Sequence, residues 1–252
     1  MSDVGRAASA IERAAAQDLP IVSLTGAGIS RESGIPTFRG QDGIWQEHDP
    51  EEVATLEGFL RDPERAWRFH EQLRELCLSS DPNPAHTALA WIQKSLDGAS
   101  APIITQNIDG LHQAAGSRHV IELHGSAHRA RCTRCDFTTD DLPRHLEQLP
   151  PTCDCGAVLR PDVVWFGEQL PREAMERAQR LSRQAGVMLV IGTSATVQPA
   201  ASLPVVALRA GASLVEINPE PTALTGVVDI QLRGPAGEVM PELAGALASA
   251  LG

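Results

Sequence analysis

Thr25-Gly26-Ala27-Gly28-Ile29-Ser30-Arg31-Glu32-Ser33-Gly34-Ile35-Pro36-Thr37-Phe38-Arg39-Gly40 follows directly on the apolar run Ile21-Val22-Ser23-Leu24. The apolar run reads as a strand. Glycines directly after it let the backbone turn sharply and approach a ligand with no Cβ in the way. A strand passing into small residues and a hydroxyl-rich turn resembles a phosphate cradle, where backbone N–H groups point at an anion. It is not the common dinucleotide fingerprint, because no glycine stands three residues after Gly28.

Other apolar runs also end in small or polar residues, as parallel strands do before ligand-facing loops. The runs are Pro20–Leu24, Pro102–Thr105, Val120–Leu123, Val187–Ile191, Ser213–Ile217 and Val228–Leu232. Helical patterns lie between many of them, at Asp3–Gln17, His86–Leu96, Pro171–Gln184 and Pro199–Ala210, and the alanine-rich tail after Pro241 reads as a terminal helix. This alternation predicts an α/β fold, a Rossmann-like doubly wound parallel sheet with its ligand beyond the carboxyl ends of the strands. Five motifs sit at such ends: Gly26-Ala27-Gly28, Gln106-Asn107-Ile108-Asp109, His124, Gly192-Thr193-Ser194 and Asn218. Their convergence favours one shared site over five unrelated turns.

Two stretches break the alternation. Residues 40–83 contain a helix opened by Asp62 as N-cap with Pro63 at the first helical position. Residues 125–159 hold four of the five cysteines and little hydrophobic periodicity. The expectation is a nucleotide-binding domain from 1–39, 84–124 and 160–252. The insertions 40–83 and 125–159 then form a small second domain, helical and metal-stapled, over the mouth of the sheet.

Cys132-x-x-Cys135 and Cys153-x-Cys155 have the spacing of a structural Zn²⁺ site, in which four thiolates complete a tetrahedron. Two disulfides are the alternative, disfavoured in a reducing compartment. Gly156 supplies the turn that the short second knuckle needs. With every ligand position filled by cysteine, the metal is structural and not catalytic. Cys77 stands alone on a helical pattern and reads as a small buried hydrophobe.

A chain of 252 residues suits one large domain or a core domain with a satellite. The net charge of −11 argues against a nucleic-acid-binding surface. Acidity suits lysine-rich peptide partners, and plain solubility explains it equally well. No apolar run approaches the roughly 18 residues of a membrane helix. The N-terminal segment, with Asp3, Glu12 and Asp18, does not read as a secretory signal. The expectation is a cytoplasmic monomer with no nucleic-acid or membrane partner.

Taken together, the Thr25–Gly40 string, Thr105-Gln106-Asn107-Ile108-Asp109-Gly110-Leu111-His112, Leu123-His124-Gly125 and the paired cysteines resemble the sirtuins, NAD-dependent protein lysine deacylases. The likeness runs from about Ile21 to the segment around Gly234. It implies NAD as co-substrate, one structural Zn²⁺ on Cys132, Cys135, Cys153 and Cys155, and acyl-lysine proteins or peptides as partners. His124 takes the place of the general base, a role that a neutral imidazole near pH 7 suits.

The resemblance assigns Asn107 and Asp109 to the nicotinamide pocket with Ile108 between them, and Gln106 to the ribose. Asn107 and Asp109 alternate around Ile108, so in an extended stretch they project to one side. Arg39 falls near the phosphates and the reacting ribose, and Phe38 shields the anomeric carbon. Gly26, Ala27, Gly28, Ser30, Thr37, Trp45 and Ala236 complete the cofactor set, with Gly192, Thr193, Ser194 and Asn218 on the adenosine half. Val163-Val164-Trp165-Phe166-Gly167-Glu168 resembles the segment that pairs with substrate backbone and walls the acyl-lysine tunnel. His112 reads as loop support and His86 as a capping or core group. In the implied reaction the acyl oxygen attacks the anomeric carbon and expels nicotinamide. His124 then draws a proton through the ribose hydroxyls, and water releases lysine and O-acyl-ADP-ribose.

Rival readings are a mono-ADP-ribosyltransferase on the same fold and a non-catalytic NAD-sensing adaptor. Retention of His124 speaks against the first, and the intact set of Phe38, Arg39, Asn107, Asp109 and His124 against the second. A conventional dehydrogenase is disfavoured, since no acidic residue closes a second strand about 20 residues after the glycine turn. Within the family, Gly26 to Pro63 is most similar to the class that removes succinyl-type groups and reads their carboxylate with Tyr-x-x-Arg on a helix. The matching positions hold His70 and Leu73, and the chain has no tyrosine. Neutral acyl groups, acetyl first, are therefore expected, unless Arg74 swings in as a substitute.

Overall fold

The computed structural model describes residues 2–38, 43–96 and 100–251. Its centre is a six-stranded parallel sheet in the order β3-β2-β1-β7-β8-β9. These strands are β1 (Ile21–Thr25), β2 (Ile103–Thr105), β3 (Val120–Glu122), β7 (Val187–Ile191), β8 (Ser213–Ile217) and β9 (Ile230–Leu232). β1 pairs in register with β2 on one side, Thr25 opposite Thr105, and with β7 on the other, Thr25 opposite Ile191.

The strands are buried on both faces, which is why they read as unbroken apolar runs. Val187, Leu189 and Ile191 pack toward α1 (Asp3–Ala15), α5 (Pro84–Ser95) and α9 (Ala236–Leu251). Met188 and Val190 pack toward α7 (Arg172–Gln184) and α8 (Leu203–Arg209). The chain thus covers one sheet with two helical layers.

A second assembly lies beside the carboxyl ends of β1 to β3. Helices α2 (Pro50–Val53), α3 (Leu56–Arg61) and α4 (Pro63–Ser79) share a core with the strands β4 (Gly125–Cys132) and β6 (Leu159–Val163). α4 opens as expected: the Asp62 carboxylate accepts from the Arg65 N–H, and Pro63 stands in the first turn. Two further short elements are β5 (Thr138–Thr139) and α6 (Leu111–Ala114). Among the described residues no helix is long and apolar enough to cross a membrane.

Three details differ from the sequence reading. Residues 125–163 hold a three-stranded antiparallel sheet, β5-β4-β6, where periodicity showed little. β4 alternates polar and small residues and is irregular between Gly125 and Ala130, which blurs its period. The helix over 199–210 is a 3₁₀ turn, Ala200–Ser202, followed by α8. α9 starts at Ala236, with Pro241 inside it. Glu32 Oε2 accepts from the Gly237 N–H at 2.6 Å, satisfying a first-turn donor and placing an anion at the helix N-terminus.

The glycine turn and the β7 turn touch. Gly26 N–H donates to Ile191 O at 3.0 Å and Gly28 N–H to Gly192 O at 2.8 Å. Gly192 has φ +60°, and a Cβ there would stand 2.4 Å from Ile29 N. We expect Gly192→Ala to lower stability by more than the about 1–2 kcal/mol of a left-handed L-residue, because backbone must also move. Chemical denaturation measures this, and an unchanged midpoint would refute the packing argument.

Candidate active site

A cleft of 780 Å³ opens over the carboxyl ends of the central strands and extends between them and the α2–α4 assembly. Ala27, Gly28, Thr37, Phe38, Trp45, Gln106, Ile108, His124, Gly192, Thr193, Ser194, Asn218 and Ala236 line it. So do His70, Leu73, Val164, Trp165, Phe166, Gly167 and Glu168. Residues as distant in the chain as Ala27 and Ala236 therefore line one cleft. Arg39 lies outside the described residues.

His124 follows β3. Its Nδ1 is 2.8 Å from Gln106 O, a carbonyl that can only accept, so the ring proton sits on Nδ1 and Nε2 keeps its lone pair. Burial pushes the His124 pKa below its ordinary value, and the hydrogen bond to Gln106 opposes that only in part. The imidazole is neutral at pH 7.

Gln106 Nε2 donates to Thr193 Oγ1 at 3.0 Å, and Asn218 Nδ2 to Thr193 O at 3.1 Å. These bonds tie the ends of β2, β7 and β8 together. Ser194 is exposed on the rim, its hydroxyl 2.9 Å from that of Thr196.

Gly26, Ser30, Asn107 and Asp109 stand behind the cleft wall. Asn107 Nδ2 donates to Ser30 Oγ at 3.1 Å, and Ser30 Oγ donates to Asp109 Oδ2 at 2.7 Å. Asn107 and Asp109 share a side, as the alternation around Ile108 predicts, and Ile108 faces the cleft. Asp109 Oδ1 accepts from the Leu111 N–H at 2.9 Å.

His86 is a capping group, with Nδ1 accepting from the Asn83 N–H at 3.3 Å and Nε2 3.4 Å from Ser30 Oγ. His112 Nε2 is 2.9 Å from Thr25 Oγ1, and burial drives its pKa down to about 3. Cys77 is buried, its thiol pushed up to about 12 by desolvation and by Asp109.

The inner end of the cleft is apolar and aromatic. Phe38 and Trp45 rings are 5.5 Å apart, and Trp45 stacks on Phe69 at 5.7 Å. The segment after β6 is pinned on both sides: Val164 N–H donates to His124 O and Phe166 N–H to Ala54 O, both at 2.9 Å.

Two charged side chains of this region are held by partners. Glu168 lines the cleft, and its carboxylate accepts two bonds from Arg160, at 2.6 and 2.9 Å, and one from the Trp165 N–H. Arg74 does not enter the acyl region. It is buried and held by Glu71 at 2.8 and 2.9 Å and by the carbonyls of Pro143 and Arg144, so releasing it would strand a buried carboxylate.

Sequence reasoning missed Arg160, whose guanidinium lies 3.5 Å above the Trp165 ring centre and also donates to Val163 O. A charge inside the run from Leu159 to Phe166 was the available signal.

The four cysteine sulfurs lie within 4.8 Å of one another, with separations of 3.5, 3.7 and 3.8 Å among them. A tetrahedron with Zn–S bonds of about 2.3 Å has edges of about 3.8 Å, so these residues fit Zn²⁺. Gly156 takes φ +79° at the second knuckle, as expected there.

The Sir2 family model matches residues 26–199. The chain belongs to the Sir2 family. It is 51% identical over 223 residues to NAD-dependent protein deacylase 2 of Pyrobaculum aerophilum, covering 88% of each chain. It superposes with TM-score 0.85 on a Sir2 homolog–NAD complex, at 48% identity over 92% of this chain and 90% of the other. A third match is a Sir2 variant with a deacetylated p53 peptide and 3′-O-acetyl ADP-ribose, at TM-score 0.82 and 38% identity, over 90% of this chain and 92% of that one.

Elemental analysis of this sirtuin should find about one zinc per chain, and Cys132→Ser should lower both zinc content and melting temperature. A zinc-free preparation with unchanged melting would exclude the site. For His124, the free-base fraction rises with pH through its pKa, so activity is lost only as pH falls through a value below the ordinary 6.5. The acid limb of the kcat/KM profile should therefore lie below pH 6.5, and a limb near 7 would contradict the neutral imidazole.

Proposed function

We infer that this sirtuin is an NAD-dependent protein-lysine deacylase whose preferred acyl groups are neutral, acetyl first. The observation that carries the reading is His124: a neutral imidazole on the cleft wall, with Nδ1 committed to Gln106 O and Nε2 without its proton.

NAD, when bound, supplies an electrophilic anomeric carbon with nicotinamide as its leaving group. The glycine turn and the Thr193–Asn218 corner are the seats for its phosphates and adenosine half. The Ser30–Asn107–Asp109 cluster, one residue either side of Ile108, borders the nicotinamide end. Nε2 of His124 takes a proton from a hydroxyl brought against it and returns it to solvent. Phe38, Trp45 and Phe69 exclude water from the inner cleft, which protects a reactive carbon from hydrolysis. The lysine chain enters along residues 163–168, beside His124. The insertions 40–83 and 125–159 act as the second wall of that channel, with zinc holding the knuckles closed.

Incubation with NAD and an acetyl-lysine peptide should release nicotinamide and yield O-acetyl-ADP-ribose. Modified protein carrying ADP-ribose, with no deacetylated peptide, would favour the transferase reading instead. His124→Ala should keep its fold and lose roughly 10²–10⁴ in turnover.

Among the described residues of α4, Leu73 lines the cleft where the arginine of a Tyr-x-x-Arg pair would stand, and Arg74 is held by Glu71. Loss of a bidentate arginine contact corresponds to roughly tenfold to a hundredfold, so acetyl should exceed succinyl in kcat/KM by about that factor. Leu73→Arg should narrow the gap. Faster succinyl removal by the unmodified enzyme would overturn the neutral-acyl assignment.

A further inference from the structure

We propose that Glu216, with Thr222, Thr225 and Arg233, forms a buried clamp that holds the loop after β8 in its ligand-ready shape. Glu216 is thereby a positioning residue for the adenosine half of NAD. This rests on the cofactor seat read above and adds the group beneath it.

Glu216 sits in β8 between Val215 and Ile217, opposite Val190 of β7 and Gln231 of β9, and is 1% exposed. Alternation puts it on the face of Leu214, which packs with Met188 and Val190 in the layer of α7 and α8. A carboxylate among apolar side chains costs free energy unless its oxygens are bonded. Here both oxygens are bonded. Oε1 accepts from Thr222 Oγ1, and Oε2 accepts from Thr225 Oγ1 at 2.7 Å with Arg233 Nη2 at 3.3 Å.

Each threonine hydroxyl has a single proton, and both protons are committed to Glu216. The hydroxyl lone pairs then accept within the loop. Thr222 Oγ1 accepts from the Leu224 N–H at 3.1 Å, and Thr225 Oγ1 from the Thr222 N–H at 2.7 Å and from Arg233 at 3.2 Å. Arg233 Nη1 also donates to Glu220 O at 2.8 Å, and Gln231 Nε2 to Thr225 O at 2.7 Å. The turn from Glu220 to Thr225 is therefore closed on one carboxylate, and it uses both oxygens.

The other side of this loop faces the ligand. Pro219, Glu220, Pro221 and Thr222 line the cleft directly after Asn218, whose side chain is bonded to Thr193 O. The two prolines restrict φ, and the bonds to Glu220 O and the Thr222 N–H hold the backbone on either side of Pro221. A wall formed before the ligand arrives removes the cost of ordering it on binding. Glu216, Thr225 and Arg233 stand behind the wall, so they act through the loop and not on the ligand.

The deciding variants are Thr225→Val, which removes one hydroxyl with no change of charge, and Glu216→Gln, which keeps one oxygen acceptor. The Kd of ADP-ribose is measured by calorimetry, with kcat and KM for NAD and KM for an acetyl-lysine peptide. In Thr225→Val the Kd and the KM for NAD should rise together by about 5- to 30-fold, the cost of ordering one backbone residue anew. Turnover at saturating NAD and the KM for peptide should not move, because the interaction lost is uniform binding of the cofactor. Glu216→Gln should weaken both cofactor constants in the same sense, and Glu216→Ala further. Thr225→Val decides where Glu216→Ala does not fold.

A lower melting temperature in Thr225→Val with unchanged ADP-ribose affinity would reduce the clamp to a structural one and overturn the proposal. So would a fall in kcat with KM for NAD unchanged. Failure of the unmodified protein to bind ADP-ribose would remove the NAD reading itself.

Discussion

The contact between the glycine turn after β1 and the turn after β7 is the constraint on which the site depends. Strand order reverses in chain sense at this pair, since β1 has β2 on one side and β7 on the other. Loops leaving neighbouring strands on either side of a switch point part from each other, and the gap between them is where a ligand fits. Here the two turns remain bonded at their base, Gly28 N to Gly192 O, before they diverge. A Cβ on Gly28 would stand 2.7 Å from that carbonyl, so the glycine serves backbone packing as well as ligand approach. The floor of the cleft is therefore rigid.

Behind that floor the polar groups satisfy one another. Ser30 ties Asn107 to Asp109, and His86 joins through Ser30 while capping α5. Burial holds His86 and His112 neutral near pH 7. A buried network with nearly all its members paired is stiff, because releasing any one leaves a desolvated partner. His112 Nδ1 is the exception, buried without a protein partner. The consequence for function is placement: Ile108, between Asn107 and Asp109, is turned into the cleft because its neighbours are committed to the other side.

How much of this was legible in the sequence follows from which signals are local. The six parallel strands were, because burial on both faces makes each a continuous apolar run ended by small residues. The zinc knuckles were, because ligand spacing is short-range. β4 was not, since its irregular pairing hides the period of two. The start of α9 was not, because the group that satisfies its first turn is Glu32, distant in sequence. In the site, the strand-end place of His124 was legible and its role came only from the family resemblance, but its protonation was not legible, because Gln106 O and burial set it. The pairings of Glu168 and Arg74 were not legible, for one shared reason. A charged residue in a sequence looks available until its partner is found, and Arg160 and Glu71 lie on the same segments without announcing the pairing.

The Arg160–Glu168 pair shows what a buried charge does in this wall. Both ions are largely desolvated, and such a pair contributes little net stability compared with well-packed apolar residues. Its geometry is informative instead. Arg160 holds Glu168 with one face of the fork, Val163 O with another and the Trp165 ring from above, while Glu168 returns a bond to the Trp165 backbone. The pair thus pins a stretch that leaves the core: Val163 and Trp165 are buried, whereas Phe166 is 43% exposed and Gly167 has φ +84°. Trp165 carries that fixation inward to His70. One cation therefore links an exposed stretch of the cleft wall, through Trp165, to a buried imidazole on α4.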